Sequence, residues 1–323
     1  MRGVKALVRY TRWVRGRLVK RKALILGYHR IDDDPWDPYS LNVTPMHFSE
    51  QLDVLRKHAN PVSLQALVDG MLFGNLAPRS VAVTFDDGYL GNLHHAKPIL
   101  ERYRIPATVF VVTGYLGREF WWDELARLCR GAKDLPQELC LNVNGRKFSW
   151  QSNAPVNERL WKRRLLSLHH FFSLLNEPER LNGLTQLRRA LSISVDNSSV
   201  SRAMTSDELR ELATGELVNV GAHTVSHPFL PKLGRKAQEN EIAESKKYLE
   251  GLMGAQIGSF CYPYGLLTRK TAAIVRDLGF RCACTTYSDI VTHSNDPFRL
   301  PRFLIPNWNG AKFGSWLHRW MDQ

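Results

Sequence analysis

No stretch of this 323-residue chain approaches the roughly 18 consecutive apolar residues of a bilayer-spanning helix, so it offers no candidate transmembrane segment. No secretory leader is expected either. After the basic start the nearest apolar run, 23–26, is shorter than the roughly 7–15 residues a leader needs, and it leads straight into Gly27-Tyr28-His29-Arg30. The expectation is a cytoplasmic chain, in solution or on the inner membrane face. Cysteine is scarce too: Cys129, Cys140, Cys261, Cys282 and Cys284 are an odd set without C-x-x-C spacing, which excludes a zinc ribbon and a disulfide framework. They read as reduced thiols packed mostly in the core, with Cys282 and Cys284 on one face of a strand. Internal repeats and low-complexity tracts are absent, and a hydrophobic share of 44% excludes the low-hydrophobicity signature of disorder.

Acid is missing where base is densest. Between Arg2 and Lys22 lie nine Lys and Arg and no Asp or Glu, which accounts for most of the net charge of +13. Charge confined to one end argues against a nucleic-acid surface, and no aromatic–basic RNA motif accompanies it. On a helical wheel Val4, Leu7, Val8, Val14 and Leu18 share one face and Arg2, Lys5, Arg9, Arg12 and Lys20 the other, with Arg15 intruding on the apolar side. Such a segment can lie on an anionic membrane; a solvated tail and a helix docked on the body are the alternatives.

The remainder alternates short β-branched or apolar runs with helical patterns, the order of an α/β protein with parallel strands. Strands are predicted at 23–28, 81–85, 107–112, 217–221, 257–261 and 282–286, and helices at about 88–103, 235–253 and 268–278. Thr44 reads as an N-cap and Thr205-Ser206-Asp207-Glu208 as a capping box. From Phe120 to about Arg202 the pattern changes to helices at 124–129, 156–175 and 179–191, plus a hairpin turning at Asn144-Gly145. The division expected is a basic segment at 1–22, a barrel from 23–118 and 203–323, and a helical insertion at 119–202 near the mouth of the site.

Three strings carry chemistry. Thr84-Phe85-Asp86-Asp87-Gly88-Tyr89 sets two carboxylates at a strand end, where α/β folds bind ligands, although such acids also cap helices. His223-Thr224-Val225-Ser226-His227-Pro228 follows another strand. Two imidazoles and a carboxylate suit zinc or its neighbours and leave positions open for water. Phe260-Cys261-Tyr262-Pro263-Tyr264-Gly265 runs from strand to turn and can aim a backbone N–H at an oxyanion.

In this order the strings resemble the polysaccharide deacetylases of carbohydrate esterase family 4, over about residues 23–115 and 205–305, with Tyr28-His29, Pro106-Ala107-Thr108-Val109-Phe110 and Leu300-Pro301-Arg302 as supporting context. The details look nearest a branch that includes poly-N-acetylglucosamine deacetylases. The resemblance implies a distorted (β/α) barrel of about seven parallel strands. It also implies a metal held by Asp87, His223 and His227 (Zn²⁺, with Co²⁺ or Ni²⁺ as alternatives), Asp86 as general base, the Tyr264 backbone N–H at the oxyanion, and an N-acetylated glycan as substrate.

Two departures stand out. Where many members carry an arginine that orients the catalytic acid, this chain has Cys261, and Arg302 is the candidate to supply that guanidinium; its alternative is a surface arginine. The usual late Leu-x-His appears only as Trp316-Leu317-His318 in an aromatic helical tail, so His29 is the better candidate general acid. These losses keep a second reading open, a glycan-binding relative that retains the metal site without catalysis. Trp121, Trp122, Trp308 and Tyr264 are the aromatics expected near loops that stack on sugar rings.

Overall fold

The computed structural model describes residues 22–131, 136–151, 158–193 and 201–322; the basic amphipathic segment expected at 1–22 lies, but for Lys22, outside the described residues. Seven strands make the central sheet: β1 (Ala23–Tyr28), β2 (Ser80–Phe85), β3 (Ala107–Val111), β4 (Val218–Ala222), β5 (Ser259–Cys261), β6 (Cys282–Cys284) and β7 (Phe303–Leu304). Their order is β6-β5-β4-β3-β2-β1-β7, every neighbouring pair is parallel, and a two-residue strand, Asn60–Pro61, also pairs with β2. β1 and β2 are buried at every position, as strands covered on both faces must be.

The sheet curls until its edges meet. Leu300 accepts from Thr285 and donates to Ala283 beyond β6, while Ala23 and Val291 exchange backbone hydrogen bonds beside β1. This is the distorted barrel the family resemblance implies; β7 and Asn60–Pro61 are absent from the predicted strands because two residues are too short to leave a periodic signal.

Local chemistry explains the helices. Thr44 accepts from the His47 N–H and opens α1 (Pro45–His58), and Thr205 with Glu208 closes a capping box on a helix at Ser206–Leu212. The helix predicted from 88 instead begins with a π-helical turn at Asn92–Ala96 before Lys97–Tyr103. The reason lies upstream: Asp87 and Gly88 both have positive φ, and Tyr89 bridges to Ala203, so 87–91 are held as a loop.

Beyond β3 the chain forms α2 (Trp121–Gly131), a hairpin of Glu138–Val143 and Arg146–Gln151, α3 (Glu158–Ser173) and α4 (Glu177–Ala190). Leu125, Leu141, Leu165, Phe172 and Leu187 bury one shared apolar cluster, which runs through Tyr115 and Tyr89 into the barrel mouth. The helical segment is thus anchored beside the loops that follow β2 and β3.

Gly265 shows how tightly the mouth is built. Its φ is +69°, and a Cβ there would collide with Thr286 Oγ1. Gly265→Ala is expected to cost about 2–3 kcal/mol through strain and overpacking, read as a lower denaturation midpoint; an unchanged midpoint would show that the turn relaxes freely.

Candidate active site

Each motif leaves the sheet at the C-terminal end of a strand. His29 follows β1, Asp86 and Asp87 follow β2, His223 follows β4, and Tyr264 sits in the turn after β5. All of them line one cavity of about 500 Å³ together with His227, Tyr39, Trp122 and His169. Backbone strain concentrates here: Asp87, Thr224, His227 and Tyr264 all have positive φ, a conformation that costs non-glycine residues energy and is kept where the surroundings enforce it.

Asp87 and the histidines converge. Asp87 Oδ1 lies 3.6 Å from His223 Nε2 and 3.7 Å from His227 Nε2, and all three side chains are buried. His223 Nδ1 sits 2.7 Å from the Cys261 carbonyl, which fixes the proton on that nitrogen and frees Nε2 as a donor atom. Among the described residues Asp87 Oδ1 and His227 Nδ1 have no hydrogen-bond partner. Burial and then the charge of Asp86 push the Asp87 carboxyl well above its ordinary range, while burial holds both imidazoles neutral. An orphaned buried carboxylate oxygen facing two neutral imidazoles, with ligand atoms all within 4.8 Å of one another, fits a divalent cation.

A second cluster, Asp86 with His223 and Cys261, is also close enough for a metal. Its carboxylate is already taken. Arg302 Nη1 donates to Asp86 Oδ1 at 2.8 Å and Nη2 to Oδ2 at 2.7 Å, a bidentate pair inside the barrel. Burial alone would raise the Asp86 carboxyl, but the charge and hydrogen bonds of Arg302 outweigh it and keep the group well below the usual carboxylate range. Arg302 also donates to Thr285 O and to Cys261 Sγ, so the thiol lies under the fork instead of replacing it. Arg302 is fully buried, which excludes the surface reading.

His29 Nε2 stands 4.0 Å from Asp86 Oδ2, and burial lowers its pKa to about 4. His318 is far from this chemistry, exposed on the C-terminal helix beside Asp322 and against His58. Of the aromatics expected at loops, Trp122 and Tyr264 line the cavity. Trp121 instead is buried against His169 and Phe172, and Trp308 lies partly buried by Trp316 and Lys312.

Two further features were not legible in the motifs. Trp122 lies against His227 and donates to Tyr89, whose hydroxyl donates to the buried Asp123, itself paired with Arg30. Glu241, from a helix at Arg235–Met253, accepts from the Val225 and Ser226 N–H groups at 2.9 Å and from Ser226 Oγ at 2.7 Å, pinning the loop between the two histidines. Glu241→Ala is expected to weaken Zn²⁺ binding roughly tenfold or more, the usual cost of removing an outer-shell partner, measured by titrating chelator-stripped protein; unaltered affinity would mean the loop holds itself.

Comparison with known proteins identifies the family. The family model described as polysaccharide deacetylase matches residues 74–133 and 191–283. A poly-beta-1,6-N-acetyl-D-glucosamine N-deacetylase of Staphylococcus epidermidis is 32% identical over 301 residues, covering 89% of this chain and 80% of that protein. The chain belongs to the polysaccharide deacetylase family. A Staphylococcus aureus protein of the same name is 30% identical over 314 residues, covering 93% of this chain and 83% of that one. The fold agrees with solved members: a Streptococcus pyogenes deacetylase in complex with acetate (TM-score 0.62, 20% identity, 94% of this chain and all of that one) and the IcaB structure from Ammonifex degensii (TM-score 0.62, 21%, 92% and 97%). This deacetylase is therefore a hydrolase by family, and its motif loops form one cavity.

Proposed function

We propose that the chain is a metal-dependent hydrolase that removes N-acetyl groups from an N-acetylamino sugar within a glycan. The supporting observation is the opposed surroundings of two adjacent carboxylates, Asp86 clamped by a guanidinium and Asp87 turned to two neutral imidazoles. Asp87, His223 and His227 would hold the ion, Zn²⁺ first and Co²⁺ or Ni²⁺ as alternatives, which supplies Lewis acidity toward the acetamide carbonyl and its attacking water.

Asp86 accepts a proton from that water as it attacks the carbonyl carbon. Arg302 keeps the Asp86 carboxylate ionised and oriented. The Tyr264 backbone N–H, in the turn at the cavity wall, is assigned to the oxyanion. When the C–N bond breaks, acetate leaves and the sugar nitrogen takes a proton through His29, which is neutral at rest and receives it from Asp86, 4.0 Å away. His29→Ala is expected to lower kcat about a hundredfold with little change in KM; unchanged turnover would remove His29 from the proton path.

The staphylococcal relatives are named for poly-beta-1,6-N-acetyl-D-glucosamine, which makes oligomers of N-acetylglucosamine the first acceptors to try. Mass spectrometry of such acceptors after incubation with zinc-loaded protein tests the reading. Loss of acetyl groups is the expected result, whereas intact acceptors with metal and glycan both bound would favour the non-catalytic binding protein. A cytoplasmic position with residues 1–22 on an anionic membrane belongs to the same proposal, on their charge pattern alone.

A further inference from the structure

Helix α3 forms a wall of the catalytic cavity, contributing Lys162, Leu166 and His169, and it lies outside the stretches that the family model matches. Its outer side borders a second groove of about 700 Å³, lined by Phe148, Arg159, Lys162, Arg163, Leu166 and Phe171 among others. Lys162 and Leu166 line both, so the groove adjoins the cavity across α3.

The composition of this groove is one-sided. After its first residue, Glu158, the helix carries Arg159, Lys162, Arg163 and Arg164 and no further acid. Arg164 turns inward over Trp150, but Arg159, Lys162 and Arg163 are exposed, and among the described residues none of the three has an ion-pair partner. Leu166, 45% exposed, sits among them with Phe148 and Phe171 alongside. Unpaired cations beside an apolar trough complement a ligand that joins an anion to a hydrocarbon chain. A neutral glycan has no use for them.

We propose that this deacetylase acts on an N-acetylamino sugar joined through a diphosphate to a hydrocarbon chain, with the sugar in the cavity, the diphosphate on Lys162, Arg159 and Arg163, and the chain along Phe148, Leu166 and Phe171. The proposal rests on the deacetylase reading and narrows its substrate.

The test is binding of three probes to the full-length, metal-loaded protein by calorimetry: N-acetylglucosaminyl diphosphofarnesol, octyl β-N-acetylglucosaminide, which lacks phosphate, and N-acetylglucosamine 1-phosphate, which lacks the chain. The first is expected to bind at least about tenfold tighter than either of the others. The double variant Arg159→Glu/Arg163→Glu, at exposed positions outside the cavity lining, is expected to remove that preference and leave the octyl glycoside unaffected, while Lys162→Glu, at the cavity wall, is expected to weaken the first probe most. Equal affinity for the first two probes, or an equal loss for all three in the variants, overturns the proposal. Acetate release separates the two layers. If neutral N-acetylglucosamine oligomers and the diphosphate probe are turned over with equal kcat/KM, the inference fails and the deacetylase reading stands. If the probe binds selectively but keeps its acetyl group, the site is confirmed as a ligand site and the deacetylase reading fails.

Discussion

Asp86→Asn is expected to lower kcat about 10³–10⁴-fold while the protein still binds one divalent ion, because the amide is isosteric with the carboxylate but cannot accept the water's proton. The two halves of this result separate the adjacent acids. Asp86 has both oxygens bonded to Arg302, whereas Asp87 faces both histidines. Asp87→Asn is accordingly expected to lose metal binding first and activity as a consequence. Metal content measured on both purified variants beside acetate release checks the division, and loss of metal from Asp86→Asn would merge the two roles.

The second large effect is at Arg302. Its side chain is fully buried and holds Asp86 by two hydrogen bonds while also bonding Thr84, Thr285 and Cys261. Removing one member of such a pair strands the other charge in the interior, which costs about 3–5 kcal/mol. Arg302→Ala should therefore lower the free energy of unfolding by that amount and also cut activity, since Asp86 loses the group that keeps it ionised. Arg302→Lys retains the charge without the fork and should fold better than the alanine variant, yet remain well below wild type in kcat. Denaturant melts and acetate release on the pair check this; wild-type activity in Arg302→Ala would show that the fork has no bearing on turnover.

Most of the barrel was legible from local pattern. Buried strands gave continuous apolar runs, and Asp86-Asp87, His223, His227 and Tyr264 each sat just beyond one, so their shared position at the strand ends followed from the periodicity alone. Arg302 was harder. It meets Asp86 across 216 positions of sequence, and what marked it was Leu300-Pro301-Arg302 as context in the family resemblance, with Cys261 standing where many members carry an arginine. His169, Lys162 and Glu241 left no signal at all. Each is an ordinary helical residue whose importance comes from which side of its helix packs toward the mouth, and that is decided by long-range contacts. Trp121 is the converse case, an aromatic beside a loop in sequence that a neighbouring cluster buries in space, while Trp308 is only partly buried against the main core.

The helical segment also changes how the positive charge is understood. The excess at 1–22 is conspicuous in sequence, but Arg159, Lys162 and Arg163 lie among hydrophobic residues of α3 and are unremarkable there. Only their arrangement along a groove that shares Lys162 with the cavity joins them to the chemistry.

Anomalous diffraction from crystals soaked in Zn²⁺ locates the ion. One strong peak is expected in contact with Asp87, His223 and His227, with Asp86 still paired to Arg302 and near enough to reach a metal-bound water. A peak elsewhere in the barrel, or none at this site with Asp87 turned away from both histidines, would contradict this metal site.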